Sequence, residues 1–103
     1  MLYNPVTIKE IEEKSTGIFK EYNIDKVAIF GSCARGDMHY GSDIDLLVNF
    51  ESLDSGLVFV EIKRKLENKL GRKVDLITYP SLLRSDFKDE ILSEAKIIYE
   101  KRH

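Results

Sequence analysis

The chain has 103 residues and a mass of 11.9 kDa, the size of one domain that can bury a core without metal or disulfide staples. Hydrophobic residues make up 43% and charged residues 33%, a balance that excludes a disordered tail and a collagen-like or low-complexity chain. With 16 Lys and Arg against 18 Asp and Glu the net charge is -2, so no overall basic footprint exists and no direct nucleic-acid binding is expected.

The elements follow closely in chain order, with no repeat and no Pro/Gly/Ser linker. Asn4-Pro5 reads as a helix start, a capping residue followed by proline at the first helical position. Ile8, Ile11, Ile18, Phe19 and Tyr22 recur at helical spacing, Gly17 weakens that helix, and Asn23 ends it. Val27–Phe30 is a short apolar strand that stops abruptly at Gly31-Ser32. Residues 33–42 form a short helix or a loop. Ile44–Phe50 is the second strand. Gly56–Leu70 is a helix with Val58, Ile62, Leu66 and Leu70 in one stripe, ended by Gly71. Val74–Thr78 is the third strand, stopped by Pro80. Ser81–Ala95 reads as a third helix with Leu83, Phe87, Ile91 and Ala95 on its core stripe, and Lys96–Glu100 as a final edge strand. Strands alternating with helices predict an α/β (α+β) fold, a small sheet flanked by helices, in one domain spanning residues 1–103.

No apolar run is long enough to span a bilayer, and Met1–Glu10 lacks the basic-then-apolar order of a secretion signal. Cys33 is the lone cysteine, so no internal disulfide can form, which suits a reducing cytoplasm. It reads as a small packed residue rather than a nucleophile, because no base accompanies it.

The chemistry is concentrated in two segments. In a strand, alternate residues face one way, so Asp43 and Asp45 project together while Ile44, Leu46 and Val48 face a dry core. Paired carboxylates at that spacing suit Mg²⁺, which keeps waters and substrate phosphates as its remaining ligands. Two adjacent like charges repel, and bound cations best account for their presence. Asp75 lies within the apolar run Val74-Asp75-Leu76-Ile77, where an ionised carboxylate is costly unless paired or metal-bound. If its strand neighbours that of Asp45, Asp75 completes the site, ligating a metal and accepting the proton of an attacking hydroxyl. Gly31 lets backbone approach a phosphate, the adjoining helix start favours an anion, and the Ser32 hydroxyl adds a hydrogen bond. Arg35, one helical turn on, offers positive charge to the same phosphates. Blander alternatives exist for each residue. Asp43 and Asp45 can be the solvated face of an edge strand, and Asp75 can cap a helix or pair with Arg72 or Lys73. Ser32 can be a plain helix cap, and Arg35 a surface charge.

The run Gly31-Ser32-Cys33-Ala34-Arg35-Gly36 through Ser42-Asp43-Ile44-Asp45-Leu46-Leu47-Val48, with Asp75 on the following strand, resembles the signature of the minimal nucleotidyltransferases, small members of the DNA polymerase beta superfamily. The resemblance covers essentially the whole chain and implies a mixed sheet with flanking helices, two Mg²⁺ ions and an NTP, most simply ATP, as donor. It also implies a HEPN-type toxin as partner, because family members act as antitoxins that attach AMP to such a toxin. No accessory domain for a tRNA, a DNA end or an antibiotic is expected, which disfavours the polymerase, CCA-adding and aminoglycoside-modifying relatives. A binding module that neutralises a partner by contact alone, without catalysis, is the alternative expectation.

Overall fold

The computed structural model describes residues 6–37, 42–50 and 56–101. Four strands form one sheet in the order β3-β2-β1-β4, with helices on both faces. Here α1 is Ile8–Glu21, β1 Ile24–Phe30, α2 Gly31–Arg35, β2 Ile44–Phe50, α3 Gly56–Leu70, β3 Val74–Thr78, α4 Tyr79–Leu83, α5 Lys88–Glu94 and β4 Lys96–Glu100.

The α/β expectation holds, including the last edge strand. Strand β1 pairs antiparallel with β2 and β4, and β2 pairs parallel with β3 through the α3 crossover. Val27 and Ile29, Ile44, Leu46 and Val48, and Val74 and Leu76 face a core shared with Ile11 and Phe19 of α1 and Ile62, Leu66 and Leu70 of α3. The opposite parity, Ala28, Phe30 and Leu47, packs under Leu82 of α4, with Ile91 of α5 at the margin. The face that bears Asp45 is therefore apolar away from the site, with both sides of the sheet covered.

The first helix begins later than the Asn4-Pro5 reading placed it. Residues 1–5 lie outside the described residues, and Thr7 is the cap, its Oγ1 accepting the Glu10 N–H at 3.1 Å. The stop is as expected, with Asn23 at φ 54°. Strand β1 starts at Ile24 rather than Val27, because Ile24 and Lys26 already pair with β2 although Asp25 and Lys26 are polar.

The larger difference lies after β3. Pro80 ends the strand by opening α4, in which Thr78 caps the Ser81 N–H. The single helix read over 81–95 is two. Ser85 competes for the backbone, its Oγ accepting the Phe87 N–H at 3.1 Å, and the chain turns before α5. Leu83 and Phe87 are consequently 59% and 64% exposed, and Leu82 takes the buried place. The fold explains the break. The segment must cross from the β3 edge to the β4 edge over two intervening strands, and two short helices wrap that twisted face better than one straight rod. No helix among the described residues is long and apolar enough to cross a membrane.

Candidate active site

Strand register builds the site. Phe30, the last residue of β1, is the pairing partner of Asp45, so the chain leaves the sheet at Gly31 directly beside that carboxylate. Asp45 in turn pairs in register with Asp75 on the parallel neighbour. Side chains in register on adjacent strands point to the same face, roughly 4.8 Å apart at the backbone. The Ile44 N–H donates to Lys73 O at 2.9 Å and holds the two strands together at this end. Asp43 sits just ahead of β2 rather than within it, exposed, and close enough for its charge to act on Asp45.

Gly31 has a stronger reason to be glycine than access to a phosphate. Its φ is +74°, and a Cβ there would overlap Asp45 Oδ2 and lie 3.1 Å from Asp45 Cγ. The turn and the carboxylate are thus packed against one another. Helix α2 then runs to Arg35 and ends at Gly36, φ +80°. Ser32, at its first turn, is half-buried.

The electrostatics follow from this crowding. Asp45 is half-buried, and its pKa is raised to about 6. Burial contributes most, followed by the charges of Asp75, Asp43 and Glu94, with Arg35 opposing. Asp75 itself is exposed, because β3 is the sheet edge. This corrects the expectation of a carboxylate enclosed in an apolar strand: the apolar neighbours Val74 and Leu76 point to the other face, and Asp75 lies open to solvent. Burial also raises the Cys33 pKa; its thiol lies 3.8 Å from Val6 O, consistent with a packed, inert residue.

Arg35 is exposed but ordered by two acids. Its Nη1 donates to Glu94 Oε2 at 3.0 Å and its Nε to Asp37 Oδ2 at 3.3 Å. The other oxygen of Glu94 accepts the Gly31 N–H at 2.9 Å. Sequence reasoning missed Glu94. It lies 63 residues from Gly31, in a segment read for its apolar stripe, and no local pattern marks it.

Among the described residues no three His, Cys, Asp or Glu side chains converge into a ready-made metal cage. The donor set fits Mg²⁺ in another way. The oxygens are hard, mutually repelling at Asp45, and open to solvent at Asp43 and Asp75. Mg²⁺ takes one or two carboxylates and completes its shell with water and substrate phosphates, and its charge would relieve the repulsion.

Residues 13–103 match the family described as polymerase beta, nucleotidyltransferase. The chain is 41% identical over 90 residues to a protein of Methanocaldococcus jannaschii assigned as a protein adenylyltransferase, spanning 87% of this chain and 96% of that one. It is 40% identical over 81 residues to the protein adenylyltransferase MntA of Thermococcus cleftensis, covering 75% and 82%. Among solved structures, one assigned as a minimal nucleotidyltransferase superposes with TM-score 0.74 at 29% identity, over 91% of this chain and 98% of that one. The same fold, at 19% identity and TM-score 0.68 over 92% and 74%, occurs in a complex of an MNT antitoxin with the tri-AMPylated HEPN toxin of Shewanella oneidensis.

Proposed function

The chain belongs to the polymerase beta nucleotidyltransferase family and is a nucleotidyltransferase, and we propose that it transfers AMP from ATP to a hydroxyl of a partner protein. The partner in this reading is a HEPN-type toxin and the chain its antitoxin, acting in the cytoplasm as one catalytic domain over residues 1–103. The names of its relatives support the reaction class, and the toxin complex of the same fold supports the partner.

One observation carries the site assignment: the register that sets Gly31 against the Asp45 carboxylate and Asp45 beside Asp75. In the proposed reaction the acceptor oxygen bonds to the α-phosphorus in line with the α,β-bridging oxygen. That P–O bond breaks and pyrophosphate leaves. Asp43, Asp45 and Asp75 would hold two Mg²⁺ ions, whose charge would stabilise the phosphoryl oxygens and the departing pyrophosphate. Asp75, exposed at the sheet edge, is free to approach an acceptor and take the hydroxyl proton. Gly31 and Ser32 grip the distal phosphates, and Arg35 supplies positive charge to them.

The test is incubation with Mg²⁺, the HEPN-type toxin proposed as partner, and ATP labelled on the α- or the γ-phosphate. Label passing from the α position alone, and lost in Asp43→Asn and Asp45→Asn, is the expected result. Full transfer by either variant would remove the assignment. No label but a stable complex would mean neutralisation by contact.

A further inference from the structure

We propose that Glu94 is a positioning residue of the donor site, a fixed strut that holds the Gly31 turn and aims the Arg35 guanidinium at the donor phosphates. The inference rests on the reading of the Gly31 turn and Arg35 as phosphate contacts; the Gly31 N–H itself stays with Glu94, so the turn offers the phosphates its close backbone approach and the Ser32 hydroxyl. One carboxylate spans both: Oε1 accepts the Gly31 N–H at 2.9 Å and Oε2 accepts Arg35 Nη1 at 3.0 Å. Gly31 is buried, so without Glu94 its N–H would lose the partner seen here. The Arg35 side chain is about half exposed, and a long exposed side chain loses rotamer freedom when it binds. Tethered by Glu94 and Asp37, it has already lost that freedom, while its fork keeps further N–H donors for a phosphate.

A carboxylate in this place can instead be read as a plug that a phosphate must expel. The backbone argues otherwise. Glu94 ends α5, and two residues on Lys96 is paired with Ile29 in the sheet. The strut is therefore anchored by β4 on one side and by its own side chain on the other.

The experiment is calorimetric titration of the full chain with Mg²⁺ and α,β-methylene-ATP, which binds without being transferred. Wild type is compared with Glu94→Gln, Arg35→Met and the double variant, each checked by thermal unfolding. Glutamine keeps an oxygen for the Gly31 N–H but turns an amide N–H₂ toward Arg35, so it frees the guanidinium at unchanged length. Glu94→Gln is expected to bind about tenfold more weakly, with the double variant no weaker than Arg35→Met alone, because Glu94 acts through Arg35. In the transfer assay KM for ATP rises and kcat holds, a split that general damage to the fold would not produce. Unchanged or tighter binding by Glu94→Gln overturns the strut in favour of the plug, and losses that multiply in the double variant overturn the route through Arg35. If Arg35→Met binds like wild type, the phosphate reading of Arg35 falls and the inference with it. If Arg35→Met weakens binding and Glu94→Gln does not, the inference alone falls. Should Glu94→Gln fail to fold, Glu94→Asp, which keeps the charge but draws it back, is expected to weaken binding in the same way, and wild-type binding by it overturns the strut.

Discussion

Replacing Gly31 by alanine tests whether the turn and the carboxylate are one unit. Two costs arise. The backbone cost comes from φ +74°, a left-handed conformation worth about 1–2 kcal/mol for a residue with a Cβ. The second comes from the methyl group, which would overlap Asp45 Oδ2 and crowd Asp45 Cγ at 3.1 Å. Asp45 is a short side chain on a paired strand, so it can yield only by rotating its carboxylate away. Displacing a reacting group by about 1 Å costs on the order of 100-fold in rate. Gly36 and Gly71 separate the two costs. They share the positive φ, +80° and +68°, but a Cβ at either meets nothing within 4 Å. Alanine at Gly71 should therefore lower Tm by the backbone cost alone, roughly 4–8 °C per kcal/mol for a domain of this size, and leave transfer near wild type. Alanine at Gly31 should lower Tm by at least as much and cut α-phosphate label transfer on the order of 100-fold. Thermal unfolding and initial rates of labelling measure both. A Gly31→Ala protein that transfers as fast as Gly71→Ala would refute the packing of the turn against Asp45 as the reason for the glycine.

Asp45 also makes a prediction about pH. Its folded pKa, about 6, lies above the ordinary carboxylate value of 3.8. The folded state therefore binds the proton more tightly than the unfolded chain, and the metal-free fold loses stability as pH rises from about 4 to about 6. Asp45→Asn should remove that slope and be the more stable protein above pH 6, as chemical denaturation across the range would show; a parallel slope in the variant would place the titration elsewhere. Because the same proton competes with a cation, the Mg²⁺ concentration needed for half-maximal nucleotide binding should increase as pH falls through about 6, and a requirement flat from pH 5 to 8 would contradict the assignment. The split of the last helix is checked by a neighbouring pair. Leu82→Ala empties a buried site and should cost about 2–5 kcal/mol, whereas Leu83→Ala, at an exposed one, should cost less than about 0.5 kcal/mol. The reverse order would restore the continuous helix.

Much of the site is legible before any fold is known. The outward Asp45 and the apolar partners Ile44, Leu46 and Val48 depend only on the two-residue period of a strand, and those three side chains are indeed fully buried, while Asp43 precedes the strand and lies outside that period. The β2, α3 and β3 boundaries are legible for the same local reason, since a strong period is closed by Gly71 on one side and Pro80 on the other. The helix over 81–95 misleads because its apolar residues also fit a second arrangement. Leu83, Phe87 and Ile91 share one stripe of a continuous helix, whereas Leu82 and Ile91, nine residues apart, lie on opposite sides of it and can both face Ala28, Phe30 and Leu47 only because the helix is broken between them. Local period cannot express that break.

Asp75 divides the two kinds of information. Its place in an alternating strand is a property of the sequence, but whether it is enclosed or open depends on β3 lying at the sheet edge, which pairing alone decides. The sequence by itself determined the alternation of strands and helices, the signature at Gly31, Ser32, Asp43 and Asp45, and with them the family. Those features arise from periods and turns within a few residues. Only the tertiary structure decided that Asp45 faces Asp75 in register, that Gly31 must lack a Cβ because Asp45 lies against it, and that Glu94 reaches back across 63 residues to the same turn. Each of these is a contact between segments distant in the chain, set by strand order and register rather than by any local preference.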